Sequence, residues 1–231
     1  MNPPPDGGKG PGKALAPVHR KYSARKSRSG EITVGRRSAA PRKGDLREQA
    51  LLDAAEALLE HTGLEELTVE AIAKGAGISR GSLYFYFGNK QEVLAALVER
   101  TLRTIRAEAA STAQDATSPP VEVMERAVHG VERVWREHDT VMRAAVDYSA
   151  LHPVIGTAWN DTVDAFARTM TQVLTRAGIP DESGPEGAAA LAHALCWLTE
   201  RTFYRAACSP EKDYPAATAT TVAIWRRVMG N

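Results

Sequence analysis

The chain has 231 residues, 43% hydrophobic and 25% charged, enough for one large domain or two modest ones. No apolar run approaches the ~18 residues needed to span a membrane, and the N-terminus lacks a signal-peptide stretch, which argues against export and for the cytoplasm. The net charge of +1 conceals an asymmetry: residues 1–43 hold eleven Lys/Arg against two acids, a charge of +9, and the remainder carries −8.

Residues 1–43 contain six prolines and six glycines and almost no large apolar side chains, so they are expected to form a disordered basic arm. The stretch GRRSAAPRKG lies nearest the folded part. Its Arg36 and Arg37 would be placed to follow a DNA backbone or enter a minor groove.

From residue 44 the pattern turns helical. LREQALLDAAEALLEHTG repeats apolar residues at Leu51, Ala55 and Leu58, with Asp45 as the expected cap and Gly63 as the stop. Residues 68–90, TVEAIAKGAGISRGSLYFYFGNK, then read as two short helices around a tight turn. Ile72, Ala73, Ala76, Ile78 and Leu83 have the spacing that packs crossed helices together. Gly77 sits where the turn requires positive φ. Ser79 is a good N-cap for a helix reaching Phe87. The first turn of that helix shows Arg80, Gly81 and Ser82, the part of a recognition helix that reaches base edges. Thr68, Tyr84, Tyr86 and Lys90 are placed to hold phosphates, Lys90 at a helix start where a cation and free N–H groups coincide. Four consecutive aromatics, Tyr84 to Phe87, point in four directions about 100° apart, so one core cannot bury them all. The two phenylalanines are the expected packing partners.

Asn89 caps a long helix to about Ala113, with Leu94, Leu97, Val98, Leu102 and Ile105 on one face. Further helices are expected at about 120–137, 140–150, 153–177, 185–207 and 215–229, separated by proline and glycine breaks, with Pro120 in a first turn. No alternating strand and no internal repeat is found. The expected organisation is all-α: the arm at 1–43, a DNA-binding head at 44–90 and a body at 91–231.

Catalytic, metal or cofactor machinery is not apparent. Glycines 75, 77 and 81 resemble a dinucleotide loop, but Arg80 stands where the third glycine belongs and a helix precedes it. The six histidines include no E-x-x-H pair. Cys196 and Cys208 have no zinc spacing, and on one helix they would be about 18 Å apart, so both are read as buried thiols. Trp135, Trp159, Trp197 and Trp225 are spread over four expected helices. Together with Met124, Met142, Met170, Phe166, Phe203 and Tyr204 they suit either core packing or a mostly apolar ligand cavity.

The run GISRGSLYFYFGNKQEVL resembles the hallmark segment of the TetR family of bacterial repressors: a glycine turn, a short recognition helix, a Tyr-x-Tyr-Phe-like close and a lysine three residues later. Gly88 departs from the proline or lysine often found there. The C-terminal stretches LCWLTERTFYRA and IWRRVMGN are similar to a mycobacterial branch of the family with a long aromatic-lined pocket. The resemblance implies a TetR-type fold, with a three-helix head and a ligand-binding and dimerisation body. It places the pocket lining at Met124, Val131, Trp135, Met142, Trp159, Phe166, Thr199, Tyr204 and Trp225. Cys196 and Thr199 replace polar amides found in that branch, which puts a shared ligand in doubt. It also assigns the dimer contact to the last two helices, with Ala188, Leu191, Leu195 and Leu198 aligned along the first of them; packing within one subunit is the competing reading of that alignment.

The resulting expectation is a homodimeric repressor on a palindromic operator of double-stranded DNA, released by a small apolar or aromatic effector, with no cofactor. The alternatives are a helical ligand-binding protein without operator function, a transcriptional activator, and, with least support, an enzyme on a helical bundle.

Overall fold

The computed structural model describes residues 43–64 and 66–230. The expected basic arm, with Arg36 and Arg37, lies outside the described residues. Among the described residues there are nine helices and no strand.

Three helices make the head. Helix α1 (Lys43–Thr62) buries Leu51, Ala55 and Leu59 and ends at Gly63, whose φ is +75°. It begins two residues before Asp45, which therefore lies inside its first turn rather than at the cap. Helix α2 (Val69–Gly75) is capped by Thr68, whose hydroxyl accepts from the Ala71 N–H at 3.1 Å. Gly77 takes φ +67° in the turn, and helix α3 (Arg80–Leu83) follows its Ser79 cap. This helix is much shorter than the pattern implied, because residues 84–86 continue as turns. Leu83 and Phe87, four residues apart, share the buried side.

The body contains α4 (Lys90–Gln114), α5 (Pro120–Glu137), α6 (Asp139–Ser149), α7 (Pro153–Arg176), α8 (Ala188–Cys208) and α9 (Tyr214–Val228). All five apolar residues expected on one face of α4 are buried. That face packs on α7 and α5, while α7 packs on α8 and α8 on α9. Burial of this continuous apolar set stabilises the body at about 25 cal/mol per Å². The four tryptophans do lie on four helices, α5, α7, α8 and α9. Cys196 and Cys208 share α8 and are free thiols, but Cys208 is exposed, because the helix ends there on the outside of the bundle.

Head and body meet through α1, which packs on α4 and α6. Glu56 on α1 lies at the centre of that contact. Its Oε2 accepts from Arg100 Nη2 of α4 at 2.5 Å, and its Oε1 lies 2.5 Å from His138 Nδ1. Arg100 also reaches Asp53 at 2.6 Å. His138 is the joint where α5 ends and α6 begins.

Candidate DNA interface and ligand cavity

The candidate DNA interface is built on short, heavily capped elements. The Ser79 Oγ accepts from the Ser82 N–H at 3.1 Å and exchanges a 2.9 Å hydrogen bond with the Ser82 hydroxyl. Arg80 is exposed and folds back along α3. Its Nε and Nη2 donate to the Tyr84 hydroxyl at 3.2 and 3.0 Å, and its guanidinium carbon lies 5.6 Å from the Tyr84 ring centre. At Gly81 a methyl group would meet nothing nearer than Ser79 Oγ at 3.9 Å. Packing within the chain therefore does not require glycine there.

Phe85 is 87% exposed, which corrects its assignment as a packing partner; Phe87, at 7%, does pack. Residues 84–86 sit in turns outside the helix, so Phe85 is carried away from the Leu83–Phe87 side. Tyr84 is exposed and Tyr86 is half-buried against the core. The structure thus brings Arg80 to Tyr84 and Ser79 to Ser82. Thr68 and Lys90 stand instead at the N-terminal ends of α2 and α4.

Gly88 has a local explanation that the sequence did not reveal. Its N–H donates to Glu92 Oε2 at 2.8 Å, while the Glu92 N–H donates to Asn89 Oδ1 at 2.9 Å. This reciprocal cap fixes the start of α4 beneath the aromatic run. A proline at 88 could not donate that bond.

The body encloses a cavity of about 50 Å³ where α4, α5, α6, α7 and α8 converge. Six of the nine expected lining residues border it: Val131, Trp135, Met142, Trp159, Phe166 and Thr199. Met124, Tyr204 and Trp225 do not. Met124 is fully buried, and Trp225 stands behind Thr199, donating its indole N–H to the Thr199 hydroxyl at 3.0 Å. Tyr204 packs edge-on against Trp135, with centroids 6.5 Å apart, and its hydroxyl donates to Asp147 at 2.6 Å.

The cavity also takes in Leu102, Ile105, Cys196 and Glu200, which were not anticipated as lining. The first two belong to the apolar face of α4 and gave no separate signal. A signal did exist for the others: Cys196, Thr199, Glu200 and Phe203 fall at i, i+3, i+4 and i+7, one face of α8, and all four are buried. Burial pushes the Cys196 thiol up to about 12, so it stays protonated. Burial also raises the Glu200 carboxyl, with Arg201 pulling weakly the other way.

Two of the four residues aligned for a dimer face on α8 need correction, and their burial favours the competing reading for them. Ala188 and Leu195 are buried within this chain's own core, while Ala189, Ala190 and Ala194 are exposed. Ala188, Ala192 and Leu195 thus line the inward side of the helix, Leu191 and Leu198 are half-buried, and Ala189, Ala190 and Ala194 face outward.

Residues 77–81, Gly-Ile-Ser-Arg-Gly, also spell the serine-elbow pattern of hydrolases. A helix leads into them where the elbow needs a strand, and the Ser79 oxygen is engaged as a cap. Among the described residues no group of three His, Cys, Asp or Glu is arranged to hold a metal ion. No helix among them is long and apolar enough to cross a membrane.

Residues 51–97 match the model of the bacterial regulatory proteins of the tetR family. The chain is 31% identical over 201 residues to the HTH-type transcriptional regulator EthR of Mycobacterium tuberculosis, covering 83% of this chain and 90% of EthR. A solved TetR-like transcriptional regulator from Rhodococcus sp. RHA1 superposes with a TM-score of 0.60 at 27% identity, over 84% of this chain and all of that one. SmeT, the repressor of the Stenotrophomonas maltophilia multidrug efflux pump SmeDEF, superposes with a TM-score of 0.61 at 25% identity, over 77% and 87% of the two chains.

Proposed function

This chain belongs to the TetR family of bacterial transcriptional regulators, and from that premise we propose that it is a cytoplasmic, homodimeric repressor released from a palindromic operator by a small, mostly apolar effector. Members of the family are DNA-binding regulators rather than enzymes; they usually act as dimers and respond to small molecules. The observation that carries the reading is the exposed Arg80–Tyr84 pair beside the outward Phe85, held on a helix-turn-helix capped at Thr68, Ser79 and Asn89. A recognition element of four residues has little stability alone, and its caps and the buried Leu83 hold it in place.

In the proposed complex Arg80 reads a guanine edge through its fork, Gly81 permits close approach and Ser82 adds an adaptable hydrogen bond. Thr68, Tyr84, Tyr86 and Lys90 hold phosphates. Two heads on one operator multiply contacts that a single head makes sparingly. The outward alanines of α8, Ala190 and Ala194, and of α9, Ala216 and Ala219, are where we place the partner subunit.

An effector in the body would press on α4 through Leu102 and Ile105 and on the α5–α6 joint through Trp135 and Met142. Glu56 ties both to the head, giving a physical route from cavity to DNA. The cavity is far smaller than the roughly 300–1,000 Å³ of a ligand site, so occupancy requires these helices to move apart. A ligand favouring the opened body shifts the population away from the DNA-competent one.

The test is selection of genomic fragments with the purified protein, followed by anisotropy on the recovered sequence. Recovery of an inverted-repeat site that unlabelled random DNA cannot displace supports the proposal. Binding of all fragments alike contradicts it.

A further inference from the structure

We propose that the effector of this chain carries a protonated amine on an apolar body, with Glu200 as its counter-ion inside the cavity. The inference rests on the ligand-responsive reading above and specifies the ligand's chemistry.

Three cavity-lining side chains bear oxygen: Thr162, Thr199 and Glu200. The first two are occupied. The Thr162 hydroxyl donates to the Ala158 carbonyl at 2.7 Å and accepts from Arg106 Nη1 at 2.9 Å. The Thr199 hydroxyl donates to the Leu195 carbonyl at 2.7 Å and accepts from Trp225. Glu200 differs: it is only 6% exposed, yet neither carboxylate oxygen has a hydrogen-bond partner. The nearest cation, Arg201, stops with its Nε at 3.6 Å, beyond hydrogen-bonding distance. Arg201 is half exposed and places its guanidinium 4.9 Å from the Tyr204 ring centre.

A buried carboxyl whose oxygens accept no hydrogen bond, and whose ion pair is long and made to a half-exposed arginine, costs folding free energy and requires an explanation. Here it stands at the edge of a cavity otherwise walled by Trp135, Trp159, Phe166 and Met142. An ammonium group entering that space would supply the missing donors, form its ion pair out of water and lie among aromatic faces that also attract cations. A carboxylate ligand would set two like charges together. An alcohol would gain the apolar contacts without the ion pair.

Head-group series of equal chain length decide the matter: n-hexyl and n-octyl amine, alcohol and carboxylate, titrated into the full-length protein and followed by tryptophan fluorescence and calorimetry. The amines are expected to bind about tenfold or more tighter than the alcohols, a gap of roughly 1.4 kcal/mol, and the carboxylates weakest. Glu200→Gln should erase the amine's advantage over the alcohol, with a cooperative thermal unfolding transition showing that the variant is folded. Equal binding of amine and alcohol, or an amine preference that survives Glu200→Gln, overturns the counter-ion role and leaves the apolar cavity standing. Failure of every member of the series to bind, with operator binding intact, overturns the apolar-effector reading itself.

Discussion

The Tyr84 hydroxyl accepts two hydrogen bonds from one side of the Arg80 guanidinium, at 3.2 Å from Nε and 3.0 Å from Nη2. The side chain proposed to read a base thus lies along its own helix on the side chain proposed to hold a phosphate. In the proposed complex the two roles are coupled: Arg80 turns to a guanine while Tyr84 turns to the backbone. Cost is low because both groups are exposed and find water as they separate.

Arg80→Lys should therefore weaken operator binding by about 1–3 kcal/mol while non-specific binding is nearly retained, because lysine keeps the charge but not the bidentate fork. Anisotropy on operator and scrambled duplexes measures both. Equal losses on the two DNAs would reassign Arg80 to phosphate contact.

Glu56→Ala should loosen the head from the body. It leaves Arg100 without one of its two carboxylates and His138 without its partner, at a contact where both side chains are largely covered. A loss of about 1–3 kcal/mol is expected for hydrogen bonds to charged groups, and thermal unfolding should shift down by about 2–4 °C per kcal/mol. Hydrogen exchange should show the loss of protection concentrated in α1. An unchanged Tm with unchanged exchange would remove Glu56 from the link between cavity and DNA.

Much of this architecture was legible in the chain because its signals are local. Ser79 and Asn89 announce their caps by type and position, Gly77 marks its turn by the φ that only glycine takes cheaply, and the α4 stripe follows the 3.6-residue period. What depends on tertiary placement was harder to read. Whether Phe85 or Phe87 packs depends on where α3 stops, and whether Leu195 faces the core or a partner depends on where α7 and α9 lie. A charged residue in a helix is usually solvated, and only the bundle around Glu200 makes it buried.

Glu200→Gln should stabilise the protein in a pH-dependent way. Burial raises this carboxyl in the folded state above the ordinary 4.5. A raised carboxyl favours the protonated form, so its contribution is fully present below pH 4.5 and is lost as pH rises through the folded value. The variant's Tm should accordingly exceed that of the parent at pH 7.5, and the gap should close as the pH falls toward 4.5. Scanning fluorimetry across that range measures it. A gain of the same size at every pH would mean that packing rather than ionisation is responsible.

The most direct test of operator binding is the salt dependence of affinity for a recovered site, in the parent and in Lys90→Ala. The parent's log Kd should rise steeply and linearly with log salt concentration, and Lys90→Ala should weaken binding on every sequence while lowering the slope by about 1, as the loss of one phosphate contact requires. A Kd indifferent to salt, or a slope that Lys90→Ala leaves unchanged, would contradict the account of this head as a phosphate-anchored reader of DNA.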